Sequence, residues 1–248
     1  MSSSPRAVLV VGATSLIAQH TIRRWVAAGA EQLWLVGRSA DALERVAADA
    51  RTRGAAVEVS VRVTDLNDPG SIAALVADVA RELRPDTVLI AHGAMYRPEQ
   101  MRDDLRLAHD QLEVTGVSPA LWLEALVSHT EATRIGVIGS VAGDRGRASN
   151  YLYGSAKSMV ERVAQGLAHR LHGSGRTITL IKPGPTATPM TSELQAQGAR
   201  LATAEQVSRD IVRAMARGAA VVYAPGTWRW IMLIVRHLPR VIFHRTSL

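Results

Sequence analysis

The sequence predicts a single α/β domain around a doubly wound, mostly parallel sheet of seven strands. Short apolar runs such as Ala7–Val11 are typical of strands that are buried on both faces of a parallel sheet. Between these runs lie longer segments with apolar residues at helical spacing, and short joints connect the two kinds. No internal repeat, low-complexity tract or linker interrupts the 248 residues. This alternation of strand and helix favours one doubly wound domain.

The first half of the chain supplies four of the strands. The first strand ends at a glycine turn, and the helix after it stops near Gly29, because glycine commonly ends a helix. The predicted order is strand Ala7–Val11, helix Leu16–Ala28, strand Leu33–Val36, helix Ala40–Arg53, strand Ala56–Val61, helix Ser71–Leu83 and strand Thr87–Ile90.

The second half continues the alternation with a long helix, Leu105–Ser128. Next come strand Arg134–Ile138, a helix from Tyr153 to about His172, strand Thr177–Ile181, helix Thr203–Arg217 and strand Ala220–Tyr223. One face of the Tyr153 helix carries the apolar residues Ala156, Met159, Val160, Val163, Ala164, Leu167 and Ala168. We expect residues 1–225 to form the domain and residues 226–248 to form a basic, apolar tail.

Candidate ligand-binding residues follow the strand ends one after another. They are Gly12–Ser15, Gly37-Arg38, Asp65, Ala91–Gly93, Ser140 and Pro183–Gly184. Because ligands of such sheets bind outside the carboxyl ends of the strands, these residues predict one dinucleotide site.

The glycine turn after the first strand is the candidate phosphate site. Gly12, Thr14, Ser15, Leu16 and Ile17 place backbone N–H groups and a helix N-terminus where a pyrophosphate could lie. Arg38 follows the second strand, where an acidic residue would bind a ribose 2′-hydroxyl. An arginine there suits a 2′-phosphate, so NADP(H) is favoured and NAD(H) stays open. The alternative is an Arg38 side chain that faces solvent and stacks on adenine.

Tyr153 and Lys157 are the candidate acid–base pair. They lie four residues apart on a predicted helix, so their side chains share one side. A nearby ammonium group favours the phenolate and should lower the tyrosine pKa, and Ser140 offers a second hydroxyl. In isolation such a pair also occurs on many solvated helix faces, and the surrounding motifs have to decide between the two interpretations.

Taken in order, these motifs resemble the short-chain dehydrogenase/reductase family over nearly the whole chain. The matching segments are Gly12–Ala18, Asp65-Leu66, Ala91-His92-Gly93, Ser140, Tyr153–Lys157 and the Pro183–Met190 segment, with Ser140 placed 13 residues before Tyr153. The resemblance implies a Rossmann-like fold and hydride transfer with a nicotinamide cofactor.

The resemblance also implies a role for each matched residue. Tyr153 would donate the proton, Ser140 would orient the carbonyl, and Lys157 would hold the nicotinamide ribose and lower the Tyr153 pKa. Further cofactor contacts are implied for Asp65, Leu66, Ala91, Gly93, Pro183, Gly184 and Thr188. No metal-binding residue is implied. A fold that senses the cofactor without catalysis is the second hypothesis.

Three of the matching segments depart from the family pattern. Leu16 and Ala18 stand where the family has glycines, and the Leu16 side chain would crowd the pyrophosphate unless it points into the core. Ala91-His92 replaces an Asn pair. Thr115 occupies the place of the Asn that carries a proton-relay water, and its hydroxyl could still hold a water.

The tail is basic and apolar, unlike the body. No Asp or Glu follows Asp210, while six arginines do, so the net charge of +7 less 6 leaves +1 for residues 1–210. Tryptophans and arginines around a short apolar helix suit a membrane surface, and an oligomer contact or a cover over the active site is equally open. The tail is similar to that of reductases that act on polyprenyl-phosphate-linked 2-keto pentoses, the partners of decaprenylphosphoryl-ribose 2′-epimerase oxidases. A ketone or lipid-linked keto-sugar substrate follows from that likeness.

Composition excludes several other classes. The chain has no cysteine, so disulfides and thiolate metal sites are excluded. The basic charge belongs to the tail, which disfavours nucleic acid as a partner. No secretion signal or spanning helix is recognised. We therefore expect a cytoplasmic protein, peripheral at the inner face of the membrane through its tail, that forms a homo-oligomer or joins a partner oxidase.

Overall fold

The computed structural model describes residues 4–246 and is organised around a sheet of seven parallel strands. In spatial order the strands are β3 (Glu58–Val63), β2 (Gln32–Gly37), β1 (Ala7–Val11), β4 (Thr87–Ile90), β5 (Arg134–Ile138), β6 (Thr177–Pro183) and β9 (Val221–Ala224). The strand order reverses direction between β1 and β4, which is where a doubly wound sheet opens a crevice for ligands. The predicted seven-stranded α/β fold is confirmed, and every pairing in this sheet is parallel.

Helices cover both faces of the sheet. They are α1 (Leu16–Ala27), α2 (Ala40–Arg53), α3 (Pro69–Asp78), α4 (Pro98–Asp103), α5 (Leu105–Leu112), α6 (Ser118–His129), α7 (Tyr151–Arg170), α8 (Ser192–Ala196), α9 (Ala204–Ala216), α10 (Thr227–His237) and α11 (Arg240–Phe243). The predicted long helix from Leu105 is present as α5 and α6, joined by a π-helical turn at Glu113–Val117.

Local chemistry shifts several predicted ends by one or two residues. The predicted helix at Ser71 begins at Pro69 instead, because Asp68 caps it and a proline is tolerated in the first turn. The short pair β7 (Thr186–Ala187) and β8 (Ala202–Thr203) was not predicted, since two residues give no periodic pattern.

Two apolar cores lie on opposite faces of the sheet. Val8 and Val10 of β1 face the core formed with α1, α2 and α9, while Leu9 and Val11 face the core formed with α3, α6 and α7. This alternation follows from the two-residue period of a strand. Both faces of β1 are therefore buried, as its continuous apolar run predicts.

The tail packs one face onto the domain and leaves the other exposed. Met232 and Val235 of α10 are buried against Val141, with Tyr223, Trp228 and Phe243 packed around them. Trp230, Ile231, Leu233, Ile234, Val241 and Ile242 are exposed large apolar side chains of α10 and α11. Within residues 4–246, no helix has the length and apolar character needed to span a bilayer.

Candidate active site

A cavity of about 570 Å³ lies at the carboxyl ends of the strands. It brings together the predicted site residues Gly12, Thr14, Ser15, Leu16, Ile17, Arg38, Leu66, Ala91, Gly93, Ser140, Tyr153, Lys157, Pro183, Gly184 and Thr188. Asp65 of the predicted set is exposed and does not line this cavity, and its Oδ1 accepts the Asn67 backbone N–H at 2.9 Å. The adenine contact implied for Asp65 stays a prediction.

The turn after β1 is shaped for an anion. Gly12 has φ of +78°, and a Cβ there would lie 2.6 Å from the His92 backbone nitrogen, so this position requires glycine. The helix that follows has no side-chain cap and no acidic residue in its first turn. Because neither a cap nor a carboxylate occupies these N–H groups, the turn suits a phosphate. Leu16 packs against the core while it also lines the cavity, so it does not fill the turn.

Arg38 marks the other end of the cavity. It follows β2, is exposed, and has no side-chain hydrogen bond or ion pair within the described part of the chain. The next residue, Ser39, accepts the Ala42 N–H and so caps α2. The guanidinium of Arg38 is thus free to bind a phosphate at the cavity edge.

Ser140, Tyr153 and Lys157 meet at the centre of the cavity. Ser140 follows β5; its hydroxyl accepts the Ala142 N–H at 3.1 Å and lies close enough to the Tyr153 phenol to lower the pKa of that phenol. Lys157 is buried, donates to the Ile138 carbonyl at 2.8 Å, and lies 5.9 Å from the centre of the Tyr153 ring. The three groups predicted from sequence are therefore adjacent and held by the ends of β5 and α7.

Burial controls the protonation of this pair. It lowers the pKa of Lys157 to about 8, because the ammonium form loses hydration. Burial also raises the pKa of Tyr153, and the Ser140 hydrogen bond only partly offsets the rise. The net direction is opposite to the lowering that we expected from Lys157. A phenol with a raised pKa stays protonated at neutral pH, which suits a proton donor.

Thr115 does not leave room for a water on its hydroxyl. The hydroxyl donates to the Ala94 carbonyl and accepts the Ala94 N–H and the Gln111 amide, each at 2.9 Å. A hydroxyl has one proton and two lone pairs, so all three are used. The expectation that Thr115 could hold a relay water is therefore wrong for its hydroxyl. The Thr115 hydroxyl instead fixes the backbone at Ala94, just after Gly93. Thr115 itself lies in a π-helical turn, a feature often found at functional sites.

His92 adds a polar atom that the sequence did not assign. Ser118 donates to the Leu66 carbonyl at 2.6 Å, so Nε2 of His92 donates to the Ser118 oxygen at 2.7 Å. Burial lowers the pKa of His92 to about 3, and the ring is therefore neutral. Its Nδ1 is a buried acceptor with no partner in the described structure, in a side chain that lines the cavity.

The last predicted segment, Pro183 to Thr188, forms part of the cavity wall. Gly184 is covered by the tail, since an added Cβ would lie 2.0 Å from Nε1 of Trp228. Thr188 begins a short 3-10 turn that Thr191 closes through its hydroxyl. Sequence analysis also missed other polar residues of the cavity, and Arg147 and Asn150 are two of them. Their only signal was their position between Ser140 and Tyr153.

Comparison with known proteins gives the same picture as the geometry. The family described as short chain dehydrogenase matches residues 6–199. The chain belongs to the short-chain dehydrogenase/reductase family. It is 35% identical to an uncharacterized oxidoreductase of Streptomyces coelicolor, over 98% of this chain and 97% of that one.

Solved structures of other proteins share the fold of this chain. A levodione reductase superposes with a TM-score of 0.79 at 22% identity, over 90% of this chain and 97% of that one. An actinorhodin polyketide ketoreductase with NADPH gives 0.77 at 21% identity, over 88% and 95%. Membership in the family makes the protein an oxidoreductase, and the Ser140, Tyr153 and Lys157 cluster is its candidate catalytic group.

Proposed function

We propose that this short-chain dehydrogenase/reductase reduces a ketone with NADPH and that Tyr153 donates the proton. The observation that carries the proposal is the meeting of Ser140, Tyr153 and Lys157 in one cavity with the Gly12 turn. A phenol, a hydroxyl and an ammonium group beside a phosphate-binding turn fit acid–base catalysis next to a dinucleotide.

Several residues of the cavity support a dinucleotide as its ligand. Gly12 to Ile17 would hold the pyrophosphate, and the neutral Nδ1 of His92 could accept a hydrogen bond from the bound molecule. Arg38 supports NADP(H) over NAD(H), because its unpaired guanidinium matches a 2′-phosphate. The actinorhodin ketoreductase was solved with NADPH, which is consistent with this choice. When bound, the nicotinamide supplies the hydride.

The chain's own residues would position the carbonyl and move the proton. Ser140 and Tyr153 can both donate to the substrate oxygen, and these donors stabilise the negative charge that develops there. Tyr153 then gives up its proton to that oxygen. Lys157, fixed by the Ile138 carbonyl, lies 5.9 Å from the centre of the Tyr153 ring, and its positive charge would favour the phenolate that remains.

The substrate that we propose is a ketone carried on an apolar group, such as a keto sugar linked to a polyprenyl phosphate. Support comes from the tail, whose exposed apolar face and flanking arginines suit contact with an anionic membrane surface. Met190 and Leu194 add exposed apolar side chains to the cavity wall.

Replacing Tyr153 by Phe tests the proposal. The variant keeps the ring and loses the proton, so we expect kcat to fall at least about 100-fold, the usual contribution of a general acid. The dissociation constant for NADPH should stay within about threefold of the wild-type value. The assay follows NADPH oxidation with a panel of ketones, including lipid extracts. Wild-type protein that binds NADPH but reduces no ketone would favour the non-catalytic hypothesis, and an undiminished kcat in the variant would contradict the role of Tyr153.

A further inference from the structure

Arg147 is a cationic side chain of the active-site cavity that forms no ion pair with any residue of the described range 4–246. It lies in the loop between Ser140 and Tyr153 and lines the cavity together with them. Its Nε is buried and has no hydrogen-bond partner in the described structure. Burial also lowers the pKa of Arg147, the direction expected for a guanidinium that has lost hydration without gaining a counter-ion.

The nearby carboxylates do not supply that counter-ion. Asp144 is the acid whose charge acts on Arg147, but no hydrogen bond or ion pair joins the two in residues 4–246, and the Asp144 oxygens contact Lys182 and the Tyr223 hydroxyl instead. No Asp or Glu of the described chain lines the cavity, whereas Arg38, Arg147 and Lys157 do. A concave site with cations alone attracts anionic ligands.

The cofactor phosphates belong to another part of the cavity. Arg38 follows β2 and the phosphate turn follows β1, while Arg147 belongs to the loop after β5. In the sheet order β2-β1-β4-β5, β2 and β5 are three spacings apart, or about 14 Å at about 4.8 Å per strand. Arg147 is therefore on the side of the cavity where Ser140 and Tyr153 would hold the substrate.

Asn150 adds an acceptor beside this donor. Its Oδ1 is buried and without a partner among the described residues, and the side chain lines the same cavity. The Asn150 N–H donates to the Arg147 carbonyl at 3.1 Å, so one turn presents both side chains. A guanidinium and an amide oxygen together suit an oxyanion with a neighbouring hydroxyl.

We propose that Arg147 binds an oxyanion carried by the substrate, such as a phosphate or sulfonate, and that Asn150 accepts a hydrogen bond from the same molecule. This inference rests on the proposed reductase function and names the substrate class of that site. The enzyme therefore selects ketones that carry a negative charge over neutral ketones of the same size.

The test measures binding rather than turnover. Full-length protein saturated with NADP⁺, which occupies the Arg38 end, is titrated in a calorimeter with hexyl phosphate, hexanol and inorganic phosphate. Wild-type protein should bind hexyl phosphate at least about tenfold more tightly than hexanol, because a guanidinium–phosphate contact is worth about that factor or more. The affinity for inorganic phosphate, compared with that for hexyl phosphate, shows whether the site binds any free phosphate or prefers a phosphate that is carried on an apolar chain.

Two substitutions and one control locate the effect. Arg147→Met should weaken hexyl phosphate binding about 10- to 100-fold and leave NADPH affinity unchanged, while Arg147→Lys should restore part of the loss. Arg209→Met removes a charge from an exposed position of α9 outside the cavity and should change neither. The melting temperature of Arg147→Met should equal or exceed the wild-type value, because an unpaired buried charge has been removed.

Several results would overturn the inference. They are an absence of hexyl phosphate binding by the wild type, equal binding by Arg147→Met, and a parallel loss of NADPH affinity, which would assign Arg147 to the cofactor. A lower melting temperature together with unchanged binding would assign it a structural role. If hexyl phosphate binding depends on Arg147 but the protein reduces no ketone, the proposed reductase function is contradicted and the oxyanion site is retained.

Discussion

At the scale of single residues, the cavity is defined by which polar groups already have partners. Lys157 and Thr115 are held by the backbone carbonyls of Ile138 and Ala94. Arg38 and Arg147 have no such partners within the described chain, although both line the same space. Lys157 and Thr115 therefore position the site, whereas the two arginines are available to ligands. For Arg147 the buried Nε adds a reason, because an unpaired buried polar group is costly unless a ligand pairs with it.

Replacing Arg38 by Met tests the cofactor preference. A charge-assisted contact with a 2′-phosphate is worth about 1.5–3 kcal/mol, which corresponds to an increase of about 10- to 150-fold in the KM for NADPH. NADH lacks that phosphate, so its KM should stay within about threefold. Steady-state kinetics with each cofactor measures both values. An equal loss with NADPH and NADH would support the alternative in which Arg38 stacks on adenine.

At the scale of elements, the loop after β5 is held in place by contacts with the tail and by a buried cluster of ion pairs. Arg145 donates to the carbonyls of Val235 and Leu238 at 2.5 and 2.7 Å, at the end of α10. Lys182 of β6 is 1% exposed and pairs with Asp144 and with Glu161 of α7. Burial alone would lower the pKa of Lys182, but the two carboxylates outweigh it and raise the pKa. These contacts fix the loop that carries Ser140 and Arg147.

The π-helical turn between α5 and α6 brings Thr115 against the site. Gly116 allows the close approach, because a Cβ there would lie 3.1 Å from the Ala156 Cα on α7. The Thr115 hydroxyl then connects the turn to Ala94. The element therefore acts through its fixed position, and its threonine hydroxyl is not available for proton transfer.

Replacing Thr115 by Val tests this assignment. The change preserves shape but leaves the Ala94 N–H and carbonyl and the Gln111 amide with fewer partners. We expect the free energy of unfolding to fall by about 1–3 kcal/mol, measured by urea denaturation. Thr52→Val is the matched control, because the exposed Thr52 hydroxyl only donates to the Ala48 carbonyl within α2. Its effect should stay within about 0.5 kcal/mol. Unchanged stability of Thr115→Val would contradict the assignment, as would a shifted pH profile of kcat, which a relay role would produce.

At the scale of the whole molecule, the tail has one face that packs on the domain and one face that is exposed. Its buried face packs on Val141 and Gly184, both of which line the cavity. Its other face exposes Trp230 and Ile234 to 65% each, and arginines flank it. Removing the whole tail would uncover the active-site loops. Membrane contact is therefore better tested with substitutions on the exposed face alone.

The double substitution Trp230→Ser and Ile234→Ser provides that test. Each large apolar side chain contributes about 1.5–3 kcal/mol when it leaves water, so binding to anionic liposomes should fall more than tenfold in a sedimentation assay. Leu105→Ser is the control, since Leu105 is 80% exposed but lies on α5, outside the tail. Liposome binding that the double variant retains would contradict the membrane proposal. A change of oligomeric mass instead, measured by light scattering, would assign the face to a second copy of the chain.

The sequence by itself determined the seven-stranded sheet and the positions of Ser140, Tyr153 and Lys157. Their signals are local: continuous apolar runs mark buried strands, and a spacing of four residues on a helix aligns two side chains. The set of residues at the strand ends could also be predicted, because parallel strands bring their carboxyl ends to one edge.

Only the tertiary structure decided which of these groups remain free. The saturation of the Thr115 hydroxyl depends on Ala94, which is 21 residues away in sequence, and on Gln111. The rise of the Tyr153 pKa and the unpaired state of Arg147 depend on burial and on the pairing of Asp144 with Lys182 and Tyr223. Hydrogen-bond saturation and desolvation are properties of a packed environment, and residues distant in sequence create that environment.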